Sequence, residues 1–260
     1  MVDASGSSTL THMITAQRPL EPMQQRTHTP EAIAHRGVRD RYPENSLPAF
    51  TAALDEGADA VELDVHATAD GVVVVHHDAQ LSRTAASPLA GRSIVALSAQ
   101  EIAEFELSPG VVIPTLQDVL RAVTPSAGVY IEIKAPGIET MVAAVIAGVP
   151  SAREKCAVHS FDHRIARNFA SLMPSVPAGI LVVGYPVDSV AVLNAAAARD
   201  LWESCEFVDT DLIEAAHAAN KRIVAWTCND PEEWDRLSDL GVDGICTDRV
   251  GALVFRQRSE

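Results

Sequence analysis

The chain has 260 residues, 47% of them hydrophobic, with 20 Lys and Arg against 35 Asp and Glu for a formal net charge of −15. Such a length and apolar content suit one large α/β domain with a substantial core. A surface this acidic is a poor partner for nucleic acid or an anionic bilayer, so no nucleic acid and no stable membrane association are expected; an anionic substrate would need positive charge built into its own site.

Residues 1–30 are rich in Ser, Thr, Gln and Pro and lack the charged start and apolar core of a signal peptide. They read as a flexible N-terminal tail ahead of a single domain over 31–260. No run reaches the ~20 apolar residues of a membrane-spanning helix. Cys156, Cys205, Cys228 and Cys246 form no C-x-x-C pair and lie on or beside apolar strand-like runs. That fits small core residues in a reduced compartment, and a cytoplasmic location is expected. Nothing in the chain specifies an oligomeric state.

From residue 31 strand and helix patterns alternate without a break. A strand at 32–36 leads to a helix at 46–56, where Leu47, Phe50, Ala53 and Leu54 recur at helical spacing. A strand at 60–65 follows, then a tight Asp70-Gly71 turn and a second arm at 72–75. Residues 79–113 make a long connection containing a Ser98/Glu101 capping box. Thr115 and Asp118 open a helix at 116–123. Further strands are predicted at 128–134, 156–160, 178–183, 206–208, 222–227 and 244–247. They alternate with helices at 139–147, 163–172, 189–198, 211–220, 232–240 and about 250–256. Setting the second hairpin arm aside, eight strands each precede a helix or a helix-bearing connection. That count predicts an α/β fold, a (β/α)8 TIM barrel with a small hairpin/helix insertion after strand 2. The alternative, an open doubly wound sheet, would want a G-x-G-x-x-G opening that is not seen.

The densest reactive stretch is D-A-V-E-L-D-V-H at 59–66. On a strand Glu62, Asp64 and His66 share one face, and Val61, Leu63 and Val65 take the other. Carboxylates that close repel unless their pKa values separate or a cation sits between them; we take the cation. Barrel chemistry sits at the carboxyl ends of strands, where His35, Arg36, Glu132, Lys134, His159, Phe161, Trp226 and Asp248 also fall. Glu62, Asp64 and Glu132 make a hard-oxygen set that suits Mg²⁺ or Ca²⁺ better than Zn²⁺. Arg36, a planar fork, and Lys134, a point charge, would bind a phosphate. His35 and His77 are the acid/base candidates. His76 points the other way and reads as structural, His66 as rim, and His159 as a polar strand-end residue rather than a ligand.

The motifs run in a fixed order: A-H-R-G at 34–37, P-E-N-S at 43–46, V-E-L-D-V at 61–65, T-A-D-G at 68–71 and H-D at 77–78. After them come I-P-T-L at 113–116, I-E-I-K at 131–134, S-F-D at 160–162, A-W-T-C-N at 225–229 and G-V-D-G-I-C-T-D at 241–248. In this set the chain resembles the glycerophosphodiester phosphodiesterase family. The resemblance implies metal-dependent hydrolysis of a small-molecule glycerophosphodiester to sn-glycerol 3-phosphate and an alcohol. It implies a metal on Glu62, Asp64 and Glu132, an acid/base pair of His35 and His77, and Arg36 and Lys134 on the phosphate. Phe161 and Trp226 would wall the glycerol pocket, with Glu44 supporting Arg36. Two loops depart from the pattern: Arg83-Thr84 precedes Ala-Ala-Ser-Pro rather than a Gly-rich segment, and T-D is followed by Arg249 rather than proline. Both loops would touch the leaving group, so the headgroup stays open. Two alternatives stand beside this reading: a lipid phosphodiesterase of the lysophospholipase D or sphingomyelinase D type, and a barrel that binds phosphodiesters without turnover.

Overall fold

Strands buried on both faces need helices on both sides of the sheet or, in a closed sheet, helices outside and side chains filling the inside. The computed structural model describes residues 29–82 and 87–259. The expectation for the N-terminal tail, and the Arg83-Thr84 segment, lie outside the described residues. In chain order the strands are β1 (Glu31–His35), β2 (Ala60–Ala67), β3 (Val73–Val75), β4 (Glu106–Ser108), β5 (Val111–Val112), β6 (Gly128–Ile133), β7 (Cys156–Ser160), β8 (Ala178–Val182), β9 (Asp200–Ser204), β10 (Arg222–Trp226) and β11 (Gly244–Thr247). Eight of them are parallel neighbours in the order β1-β11-β10-β9-β8-β7-β6-β2, and a β1–β2 pairing closes the ring. This is the (β/α)8 barrel that the strand count predicts. The antiparallel β3 extends β2 into the expected hairpin, and the insertion after it carries a short helix and the small β4–β5 sheet.

Register sorts the side chains. Ile33, Ala60, Tyr130, Ala157, Leu181, Trp202, Val224 and Cys246 fill the barrel interior. Outward residues such as Val61, Leu63, Ile131, Ile133, Ile223 and Ile245 pack under the helices in a larger core. The helices start where caps say they should. Ser46 accepts from the Ala49 amide with Pro48 in the first turn, and Ser98 and Glu101 form a reciprocal capping box. Among the described residues no helix is long and apolar enough to cross a membrane. All four cysteines are free thiols, three of them buried.

One element needs correcting. The sixth barrel strand is Asp200–Ser204, and the predicted strand at 206–208 falls on a 3₁₀ turn over Cys205–Phe207. The preceding helix, Ser189–Ala195, stops short of the predicted 198, and Ala197 sits in the left-handed region with φ 52°. Charge misled the reading: Asp200 and Glu203 look like loop residues but are fully buried. Spacing carried the right signal. Strands β7 to β11 begin at 156, 178, 200, 222 and 244, every twenty-second residue.

Candidate active site

The carboxyl ends of the barrel strands surround a cavity of about 260 Å³ lined by His35, Arg36, Glu62, His77, Glu132, Lys134, His159, Phe161 and Trp226, among others. Registers explain the gathering. His35 pairs with Glu62, Asp64 with Glu132, and Glu132 with His159, so each set points into the barrel at one level.

The loop after β1 is built to turn Arg36 inward. Arg36 and Asn45 both adopt φ 58°, a conformation costly for residues with a Cβ, and the Asn45 amide donates to the Arg36 carbonyl at 3.0 Å. Gly37 has φ 82°, and a Cβ there would sit 2.7 Å from Ala49, so only glycine fits. Asn45 Nδ2 donates to Asp64 Oδ2 at 2.9 Å, and the Asp64 amide donates back to Asn45 Oδ1 at 3.3 Å. Arg36 Nη1 donates to Glu44 Oε1 at 3.0 Å, and its Nε lies 3.1 Å from Asp64 Oδ2. Glu44, which the resemblance implies as support for Arg36, lies within hydrogen-bond reach of it, and Asn45, inside P-E-N-S, also contacts the Arg36 backbone and Asp64.

Lys134 bridges two acids, with Nζ 2.9 Å from Glu132 Oε1 and 3.3 Å from Asp64 Oδ1. Burial works against Asp64, yet Arg36, Lys134 and the Asn45 hydrogen bond outweigh it and hold its carboxyl below the usual range. Glu62 and Glu132 fare differently. Burial first, and the Asp64 charge with it, push both up to about 7. Glu62 Oε2 is buried with no hydrogen-bond partner. One atom each from Glu62, Glu132 and His159 lie within 4.8 Å of one another, a group able to hold a metal ion. Asp64 stands beside this group, its Oδ2 facing Arg36 and Asn45 and its Oδ1, near Lys134, also without a hydrogen-bond partner.

Each candidate acid/base imidazole has a carboxylate behind it. His35 Nδ1 lies 2.7 Å from Asp248 Oδ1, and its Nε2 lies 4.0 Å from Glu62 Oε2. His77 Nδ1 lies 2.8 Å from Asp78 Oδ1. An Nδ1–H held by a carboxylate leaves Nε2 free for proton transfer. The Asp248 support is itself braced: Asn229 Nδ2 donates to its Oδ2 at 2.8 Å, and Asn229 Oδ1 accepts from the Asp248 amide and the Thr247 hydroxyl. Two motifs, A-W-T-C-N and G-I-C-T-D, thus meet to hold one histidine. Phe161 and Trp226 face each other edge to face at 5.3 Å on one wall, with Phe161 47% exposed. His66 Nε2–H donates to the His77 carbonyl at 3.1 Å. His159, read as a mere strand-end residue, is 1% exposed, stacks on Trp202 at 4.2 Å and joins the acidic group. Burial pushes its pKa down to about 4, against the pull of Glu132.

Fold and site together define a barrel enzyme scaffold with an acid cluster, two supported imidazoles and two cations at one strand-end cavity. Residues 35–252 match the model of the glycerophosphoryl diester phosphodiesterase family, and the chain belongs to that family. A glycerophosphodiester phosphodiesterase of Bacillus altitudinis is 32% identical over 232 residues, 83% of this chain and 93% of that one. The barrel superposes on a putative glycerophosphoryl diester phosphodiesterase of Silicibacter pomeroyi with a TM-score of 0.81 at 23% identity, covering 91% and 96% of the two chains. It also superposes on a phosphodiesterase of Oleispira antarctica in complex with the product sn-glycerol-3-phosphate, with a TM-score of 0.77 at 25% identity, covering 89% and 98%.

Proposed function

We propose that this chain hydrolyses glycerophosphodiesters to sn-glycerol 3-phosphate and an alcohol, with a divalent cation and with His35 and His77 as the acid/base pair. The observation that carries the reading is the meeting of both imidazoles, the acid group and both phosphate-binding cations in a single cavity. The relative with sn-glycerol-3-phosphate bound has the same fold and supports the choice of substrate.

The acids fit a cation. Glu62 and Glu132 are buried carboxylates pushed up to about 7, Glu132 shares its one lysine with Asp64, and Glu62 Oε2 has no partner. Glu62, Asp64 and Glu132 would hold it, an oxygen set suited to Mg²⁺ or Ca²⁺. Once bound, the cation would polarise a phosphoryl oxygen and offset charge in the transition state. Arg36, pre-turned by its backbone and pinned by Glu44, would take another non-bridging oxygen, with Lys134 beside it. Phe161 and Trp226 would cover the carbon face of the glycerol. His77, the more exposed imidazole, would take a proton from the attacking oxygen through Nε2. His35, backed by Asp248, would protonate the departing alcohol.

The test is release of choline or ethanolamine from glycerophosphocholine or glycerophosphoethanolamine, with and without EDTA. Turnover that EDTA abolishes and a divalent ion restores is the expected result. EDTA-insensitive turnover would remove the metal from the mechanism. Binding of diesters without turnover on any of them would make the chain a binding barrel, and cyclic phosphate products from lysolipids would make it a lipid phosphodiesterase.

A further inference from the structure

We infer that His159 is a further ligand of the catalytic cation, added to Glu62, Asp64 and Glu132, and that the site therefore takes first-row transition ions such as Co²⁺ or Mn²⁺ as well as Mg²⁺. This rests on the reading above that the acid group holds a divalent ion.

The placement is a consequence of register. His159 is the fourth residue of β7 and pairs with Glu132 of β6, so both side chains enter the barrel at the same height. Its Nε2 lies 3.7 Å from Glu62 Oε1. That is too long for a hydrogen bond. It is short enough for two ligands of one ion, since ligands ~2.0–2.2 Å from a metal stand at most ~4.4 Å apart. The three donor atoms lie within 4.8 Å of one another, so a few tenths of an ångström of contraction would bring them onto one ion.

A second observation points the same way. Buried polar atoms are nearly always hydrogen-bonded. His159 is 1% exposed with Nδ1 unpartnered, and Glu62, the carboxylate its Nε2 faces, has Oε2 unpartnered as well. A histidine kept only for structure would be tied down by a carbonyl or carboxylate. This ring is instead oriented by Trp202, stacked at 4.2 Å with 26° between planes, with Nε2 turned to Glu62 but too far for a hydrogen bond to it. Asp64 Oδ2 faces Arg36 and Asn45, while Oδ1, 3.3 Å from Lys134 Nζ, has no hydrogen-bond partner and stays available to the same ion. Adding an imidazole to an all-oxygen set moves ion preference from Mg²⁺ and Ca²⁺ towards softer first-row ions.

The experiment starts from the full chain stripped of metal by EDTA and dialysed. It is loaded with one equivalent of Mn²⁺, and its electron spin-echo modulation is recorded with natural-abundance and with ¹⁵N-histidine-labelled protein. We expect ¹⁴N modulation that changes to the ¹⁵N pattern on labelling, persists in His35→Ala and disappears in His159→Gln. Chelator competition is expected to show Co²⁺ affinity falling at least ~10-fold in His159→Gln while Mg²⁺ affinity changes less than ~2-fold. The labelled wild type needs no substitution, so a His159→Gln chain that failed to fold would leave that arm decisive. Stoichiometric Mn²⁺ binding, weakened by Glu62→Gln but without nitrogen modulation, would overturn the role of His159 and leave the metal reading standing. A nitrogen signal that survived in folded His159→Gln would overturn it as well. Failure of the wild type to bind any divalent ion would overturn both.

Discussion

Both ends of this barrel hold charge among apolar strands, and they resolve it in opposite ways. At the amino end Glu31, Asp200 and Arg222, the first residues of β1, β9 and β10, meet the Tyr130 hydroxyl. Arg222 donates to Glu31 at 2.5 Å and to Tyr130 at 3.1 Å, Tyr130 donates to Glu31 at 2.7 Å, and Arg199 covers Asp200 at 2.6 Å. Each acid there has a cation. At the carboxyl end, Arg36 and Lys134 are shared among three buried acids, and Glu62 and Glu132 are left with raised pKa values. A finished network plugs the barrel; an unfinished one is where a ligand is wanted.

The largest effects belong to the unfinished end. His35→Ala and His77→Ala should each lower kcat by about 10²- to 10⁴-fold, the usual contribution of a positioned acid or base. Divalent-ion affinity and melting temperature should stay near wild type, since neither imidazole is in the acid group. Wild-type rates in both variants would defeat the assignment.

The next test sets one end against the other. Glu62→Gln removes a charge that burial and Asp64 both disfavour. It should cost ~10²-fold or more in activity, yet leave the metal-free protein as stable as before or more so. Arg222→Met strands Glu31 at the amino end. A fully buried pair broken from one side costs ~3–5 kcal/mol. Arg222 is about a quarter exposed, so ~2 kcal/mol is expected, read as a lower melting temperature with kcat unchanged. Equal stability losses in the two variants would erase the contrast.

Much of the carboxyl end was legible because strand side chains alternate. Two-residue spacing alone puts Glu62 with Asp64 and Glu132 with Lys134, and the structure brings all four together. What stayed hidden depends on residues far apart in sequence. Asp248 supports His35 across 213 residues, and Asn229 braces Asp248 across 19. Inside a motif these are letters; only barrel closure, β1 against β11, makes them neighbours. His159 was read as a polar strand-end residue because a lone histidine carries no pattern; only its register with Glu132 places it beside the acids. The misplaced sixth strand hid Trp202, the ring that orients it. Asp248→Asn tests the hidden support. It keeps the shape and removes the charge behind His35, and should lower kcat by about 10- to 100-fold, part of what a general acid supplies. KM should change little, because Asp248 is placed to act on the imidazole.

Glu203 offers the smallest effect and a third case, a buried acid with no cation at all. It points outward from β9, is fully buried, and takes hydrogen bonds from the Ser204 and Gly184 backbone, with Oε2 left unpartnered. Burial pushes it up to about 7, which those hydrogen bonds only partly offset. In the unfolded chain a glutamate titrates near ~4.3. Between those two values the folded chain holds a proton that the unfolded chain has lost. Its contribution to stability is therefore whole below about pH 4, declines as pH rises, and is gone above about 7. Glu203→Gln keeps an acceptor for the backbone amides and never ionises. It should match wild type near pH 4.5 and be more stable by ~2 kcal/mol at pH 8, below the full ~1.4 kcal/mol per pKa unit. Urea unfolding of both proteins at the two pH values measures this, and a constant difference between them would show that Glu203 is ionised throughout. Activity at pH 8 should be unaltered, which separates a buried charge that merely burdens the fold from those at the strand ends that serve the reaction.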